Sequence, residues 1–276
     1  MKFAQSGLMI GILLASAATS LPAAADVLKD VADRGKFICG TLGTSEPFSF
    51  QDPDTRAVVG YEVDLCQAIA DSLDVSLEIR LIAVEARIPE LVAGRVDIVA
   101  ANLGWTEERA QQIDYSNQHF ASFQKVLVRA DSGFETSDQL AGQRISATRG
   151  STSERAAHEK LPDVEVLTFK DGSGAFLAVQ QGKVAGMVNS ELSSIKFIEA
   201  SAREGGDEMK ILDPALVLEP WGLGIRKGED EFKAHVNTVL ADLDESGKFD
   251  EIWDKWFGPE TSAGGLKREF NIEEIK

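Results

Sequence analysis

Gly60-Tyr61-Glu62-Val63-Asp64-Leu65-Cys66-Gln67-Ala68-Ile69-Ala70-Asp71-Ser72-Leu73 is the stretch from which the rest of the chain is read. The Ala57-Val58-Val59 run before it is extended in character, and Gly60 can take the backbone angles a tight turn requires. Glu62 and Asp64 put negative charge into the first turn of the helix that follows, where the peptide dipoles favour it. Leu65, Ile69 and Leu73 recur every four residues and give that helix one apolar face. On physics alone the segment is a turn opening into a well-started amphipathic helix.

The surrounding chain has 276 residues, 43% of them hydrophobic, enough for one large domain or two modest lobes. The formal net charge is −17. That balance excludes the basic face that nucleic-acid binding needs and argues against docking on anionic lipid. It reads as a solvated acidic surface. Lys2, the apolar run Leu8 to Leu14 and the small residues Ala23-Ala24-Ala25 have the pattern of a cleaved signal peptide over residues 1–25. The run is too short to span a bilayer comfortably, and no cysteine stands at the cleavage point for lipidation. The mature chain is then an exported, soluble protein beginning near Asp26.

Outward from the opening stretch, strands and helices alternate. Phe37 to Thr41, Val75 to Ile82 and Val96 to Ala100 read as strands, with helices at 61–73 and 88–93 between them. This spacing argues for a parallel α/β sheet. A second series follows: strands at 124–129, 144–147, 164–169 and 184–188, and helices after Gly150, from Ser173 to Gln181 and from Leu192 to Ala200. A strand around Trp221 to Ile225 and two late helices, 230–243 and 249–256, complete the chain. Cys39 falls in the first strand and Cys66 on the organising helix. An exported chain permits a disulfide between them, and buried free thiols are equally compatible with the sequence.

The order G-Y-E-V-D-L-x-x-x-I-A-x-x-L resembles the signature of the solute-binding proteins that serve polar amino-acid ABC transporters. Further blocks agree and cover nearly the whole mature chain: Arg87-Ile88-Pro89-Glu90-Leu91, Gly94-Arg95-Val96-Asp97-Ile98, Thr106-Glu107-Glu108-Arg109, Ile113-Asp114-Tyr115-Ser116, Gly150 to Glu154, and Ser246-Gly247-Lys248 through Trp253 to Gly258. Arg87-Ile88-Pro89 and the chain's ending look most like the glutamate/aspartate-binding branch. The resemblance implies a type II periplasmic-binding-protein fold: two lobes, each an α/β sheet flanked by helices, joined by two hinge strands near 121–124 and 218–222. Lobe one would be residues 26–121 plus 221–276, and lobe two residues 122–220.

The same resemblance nominates the site. Arg109 would hold a ligand carboxylate with its planar fork. Asn102, Leu103 and Gly104 lie where a strand ends, the usual place for ligands on α/β sheets. Ser151 and Thr152 open a helix whose free N–H groups suit an anion, Ser151 and Glu154 being spaced as a capping box. Arg87 and Arg149 add positive charge at the cleft, and Asn189 and Ser190 follow the strand at 184–188. Ser45 and Phe48 come from the first loop. A plain structural reading stands beside each: a surface arginine, a helix cap, a core aromatic. Three places depart from the family pattern. Ser190 stands where α-amino-acid binders usually carry an aspartate for the ammonium. Ser45 and Val84 replace aromatics, and Leu42 replaces an extra arginine.

The expected function is therefore capture of a polar or acidic amino acid, or a related zwitterion, in the periplasm, and delivery by a monomer to an inner-membrane ABC permease. No catalytic residue, metal or cofactor is expected. His119, His158 and His235 are scattered without metal-ligand spacing, and no nucleophile elbow or phosphate loop occurs. The rival reading is a periplasmic cyclohexadienyl dehydratase, an activity found on this fold. A third is a sensor lobe acting on a membrane receptor.

Overall fold

Asp26 caps the first helix with its own carboxylate, accepting the Lys29 N–H at 3.1 Å, and α1 runs Val27–Arg34. Gly35, at φ 66°, turns the chain into β1, Lys36–Thr41. A small hairpin sheet follows, β2 Thr44–Ser45, β3 Ser49–Gln51 and β4 Val58–Val59. Then come α2, Tyr61–Ser72, β5, Ser76–Leu81, α3, Arg87–Val92, β6, Ile98–Val99, and α4, Glu107–Ala110. This is a computed structural model, and it describes residues 26–261, 264, 266–268 and 270–275. The signal-peptide reading at 1–25 lies outside the described residues.

The next strand is longer than its sequence suggests. The predicted strand at 124–129 is the last part of β7, Ile113–Arg129. The second half then holds β8 Arg144–Thr148, α5 Thr152–Lys160, β9 Glu165–Phe169, α6 Gly172–Gln180, β10 Gly186–Ser190 and α7 Glu191–Arg203. The strand expected around Trp221 is likewise the end of β11, Met209–Arg226. Polar residues such as Gln118, Ser122, Gln124 and Glu219 interrupt both runs, which hid their length. Helices α8, Asp230–Glu245, and α9, Lys248–Phe257, close the chain.

Eight strands form one sheet in the order β5-β1-β6-β11-β7-β10-β8-β9, beside the three-stranded β2-β3-β4 sheet. Strands β5, β1 and β6 are mutually parallel, and so are β10, β8 and β9. Between these two parallel halves, β7 and β11 pair antiparallel along most of their length, with register shifts after Leu212, Trp221 and Gly222. The two long strands thus carry the chain from one half to the other. The architecture is a mixed α/β sheet flanked by helices.

The core of the first half is aromatic. Phe48 packs edge-on to Phe120 at 4.8 Å between ring centroids and lies 4.9 Å from Trp221, with Tyr61, Trp253 and Phe257 around them. Offset and edge-to-face rings of this kind add to the area they bury. The segment after α9 returns over this cluster: Leu266 accepts the Trp253 Nε1–H at 2.8 Å, and Glu273 accepts the Gln118 backbone N–H at 2.8 Å. Cys39 on β1 and Cys66 on α2 are joined as a disulfide, which decides the alternative left open by the sequence. Of the two acidic residues that start α2, Asp64 accepts from Trp256 Nε1 at 2.7 Å and from Lys255 Nζ at 2.6 Å. Glu62 points inward instead.

Candidate functional site

The carboxyl ends of parallel strands from both halves converge on one cavity of about 260 Å³. Leu42 follows β1, Asn102 follows β6, Thr148 ends β8 and Ser190 ends β10, so both halves present the end at which α/β sheets bind ligands. Ser45 and Val84 complete the first half's wall, Ser151, Thr152, Asp171, Asn189, Lys196 and Phe197 the second, and Gln124, Glu219 and Trp221 of the crossing strands lie between.

Asn102 is held in the left-handed region, φ 52°, where asparagine is better tolerated than most residues. Its peptide is clamped from both sides. Both Glu62 oxygens lie 3.0 Å from its N–H, and Arg87 Nη1 donates to its carbonyl at 2.8 Å. Glu62 is fully buried, and burial raises its carboxyl to about 7 despite the Asn102 N–H and the Arg87 charge. Arg87 is buried too. Besides Asn102 it donates to the carbonyls of Val84, Ala101 and Gly150 at 2.8, 3.0 and 3.2 Å. Burial, with Arg109 nearby, lowers it to about 9.

Helix α5 starts as its sequence requires, with one variation. Ser151 accepts the Glu154 N–H at 3.1 Å, while Glu154 reaches back to the Gly150 N–H, at 2.6 Å, rather than to that of Ser151. Ser190 is the cap of α7: its oxygen accepts the Ser193 N–H at 3.4 Å and its hydroxyl donates to Ser193 Oγ at 2.9 Å.

Seven of the twelve residues nominated from sequence line the cavity: Ser45, Arg87, Asn102, Ser151, Thr152, Asn189 and Ser190. The other five stand elsewhere. Phe48 is in the aromatic core and Leu103 in a second apolar cluster, as bulky apolar side chains usually are. Gly104 lies behind the wall, its carbonyl taken by Arg109 Nη1 at 2.8 Å and by the Tyr115 hydroxyl at 3.1 Å. Arg109 therefore sits beside the cavity rather than in its wall, with Nη2 on the Gly150 carbonyl at 3.0 Å. Arg149 is half-exposed at the rim and pairs with Glu85 at 3.6 Å.

Sequence reasoning missed much of the wall, including the polar residues Gln124, Asp171, Lys196 and Glu219. The signal for Glu219 was available, a carboxylate inside the otherwise apolar run Val217-Leu218-Glu219-Pro220-Trp221. It is buried on β11, and Oε2 accepts from Gln124 Nε2 at 2.5 Å. Gln124 in turn accepts from Ser153 Oγ at 2.7 Å. Four buried atoms of the wall have no hydrogen-bond partner: Asn102 Oδ1, Asn189 Nδ2, Glu219 Oε1 and Trp221 Nε1. Buried polar groups are rarely left so, and among the described residues these four belong to residues that line this one cavity. Among the described residues no group of His, Cys, Asp and Glu is gathered to hold a metal ion.

A cavity of this size, between two sheet halves and lined by polar side chains from both, defines a two-lobed binding protein for a small polar molecule. The chain belongs to the bacterial extracellular solute-binding proteins, family 3, whose model matches residues 37–259. It is 26% identical over 235 residues to the ABC transporter glutamine-binding protein GlnH of Bacillus subtilis, covering 84% of each chain. It is 25% identical to the L-glutamate/L-aspartate-binding protein of Pseudomonas aeruginosa, covering 97% of this chain and 93% of that one. Among solved structures, an ancestral arginine-binding protein bound to arginine superposes with a TM-score of 0.75 at 32% identity, covering 82% of this chain and 99% of that one. Each of these relatives is named as a binding protein.

Proposed function

We propose that this chain is the periplasmic substrate-binding component of an ABC importer, capturing a polar or acidic amino acid or a related zwitterion between its two lobes. The observation that carries this reading is the convergence of strand ends from both halves of the sheet on one cavity with a polar lining, Asn102 on one side and Thr152, Asn189 and Ser190 on the other. Family membership and the binding-protein relatives support it. The ligand carboxylate lies at the start of α5, against Ser151 and Thr152, where free N–H groups and the helix dipole favour an anion. Arg109 is held beside this helix start by its hydrogen bond to the Gly150 carbonyl. Releasing the Gly150 carbonyl turns its Nη2 toward the same carboxylate.

The lobes are residues 26–121 with 221–276, and residues 122–220, hinged where β7 and β11 cross. Closure over the ligand presents both lobes to the permease. Residues 1–25 direct export and are removed. A thermal-shift screen of the ligand-stripped chain from Asp26 against amino acids, dicarboxylates and betaines tests the function. A melting temperature that climbs with the concentration of an amino acid is expected. No rise with any amino acid or zwitterion overturns it.

A further inference from the structure

The cavity does not end beside Ser190. Ser190, Ser193, Phe197 and Ala200 all line it. They recur at the three- and four-residue steps of one helix face, so the cavity runs beside α7 from its cap to its third turn. At 1.5 Å per residue the rise from Ser190 to Ala200 is about 15 Å. A fully extended chain advances at most about 3.6 Å per residue, so a single free amino acid held at the start of α5 leaves most of that length unfilled.

Side-chain size keeps this branch of the cavity open. Ser193 and Ala200 are small. Phe197 is pinned flat: its ring stacks on that of Phe176, 5.1 Å between centroids and 11° between planes. Gly172, at the start of α6, lines the cavity too, and a Cβ built on it would come 3.1 Å from the Phe197 ring. The branch reaches the surface at Ala200, which is exposed. Its polar groups suit a neutral polar chain better than a lone ion. Lys196, buried and in the wall, pairs with Glu199 at 3.0 Å, and Asp171 Oδ1 accepts the Gly174 N–H at 2.8 Å. Ser193 Oγ accepts from the Ser190 hydroxyl at 2.9 Å and keeps its own O–H proton to donate.

We infer that the site takes an elongated ligand: an amino acid carrying an amide-linked extension, of dipeptide to tripeptide length, with the extension lying along α7 between Ser193 and Ala200. The inference rests on the proposed binding function and refines it by naming the ligand class.

Calorimetric titration of the chain from Asp26 tests it. The probes are free L-glutamate, L-glutamine and L-arginine, and their extended forms: γ-glutamylglycine, the Nα-acetyl derivatives, and the glycyl dipeptides of all three. At least one extended probe is expected to bind roughly 10-fold or more tighter than the free amino acid it contains, the worth of one well-made hydrogen bond. Ser193→Leu and Ala200→Trp fill the branch at opposite ends, and each is expected to abolish that preference. Melting curves without ligand confirm that the variants are folded. Free amino acids binding as tightly as every extended probe overturns the inference while leaving the binding function intact. A preference that survives in both variants also overturns it, by placing the extension elsewhere. Binding of extended probes alone, with the preference lost in either variant, upholds it. No binding of any probe overturns both readings.

Discussion

The two carboxylate oxygens of Glu62 both lie 3.0 Å from the backbone nitrogen of Asn102, so a residue at the start of α2 fixes the turn that shapes the cavity wall. The opposite face of that turn is held by Arg87. A buried acid and a buried base thus grip one peptide from its donor and acceptor sides.

The grip predicts a pH signature. Burial raises the folded Glu62 carboxyl from 4.5 to about 7. Between those values the folded chain holds a proton that the unfolded chain has released. This contribution to stability is full below pH 4.5 and fades as pH rises through about 7, amounting to about 3 kcal/mol at roughly 1.4 kcal/mol per pH unit of displacement. His119, whose Nε2 lies 3.7 Å from Glu62, is itself held neutral by burial, near 3. Urea denaturation of wild type and Glu62→Gln from pH 4.5 to 8 should give curves that diverge across this window. Parallel curves would show that Glu62 does not titrate there.

Arg87 and Arg109 both donate to the Gly150 carbonyl yet should fail differently. Arg87→Ala strips donors from buried carbonyls of Val84, Ala101 and Asn102 and should cost about 2–4 kcal/mol of stability. Arg109→Ala removes a less buried group and should cost under about 1 kcal/mol, but on the proposed function it should lower ligand affinity roughly 100-fold. Melting temperatures and titrations on the two variants separate these effects. Full affinity in Arg109→Ala would remove that side chain from the site.

Gly104→Ala should disturb a residue far away in sequence. The new methyl displaces Glu219 and with it the bond to Gln124, at a cost of about 1–3 kcal/mol, typical of overpacking. The double variant Gly104→Ala/Glu219→Ala should recover stability relative to the sum of the single changes, a coupling that a thermal double-mutant cycle measures. Strict additivity would argue against the contact.

Reduction should weaken the fold. The Cys39–Cys66 link closes a loop across 27 residues, for which chain-entropy arguments give about 3.5 kcal/mol. Guanidinium midpoints with and without a phosphine reductant report the difference, and thiol labelling of the unfolded, unreduced chain should find no free cysteine.

Much of this was legible before any coordinates. The apolar periodicity of α2, the cap at Ser151, and the alternation of strands with helices all follow from local rules and hold in the structure. The resemblance placed crossing strands near 121–124 and 218–222, but their full length was not legible, because they carry polar residues such as Gln118, Ser122 and Glu219 where a buried strand would carry apolar ones. Glu62 was read as a first-turn charge for the helix dipole, a local rule that Asn102, forty residues away, overrides. Phe48 was assigned to the site with the first loop, whereas the ring partners that place it in the core come from β7, β11 and α9. Distant partners of this kind leave no trace in local spacing.

The position of Glu219 has a further consequence. It belongs to neither parallel half: it lies on β11 between the register shifts after Leu212 and Trp221, where the proposed hinge would fall. On the proposed reading, a ligand contact made by the crossing strands exists whether the lobes stand apart or together, so it deepens affinity without biasing the conformational equilibrium. Only groups brought in by the second lobe, such as Thr152 and Asn189, distinguish the two states energetically. Capture and signalling of occupancy would then be separately tunable in this protein, the first through β11 and the second through the far wall.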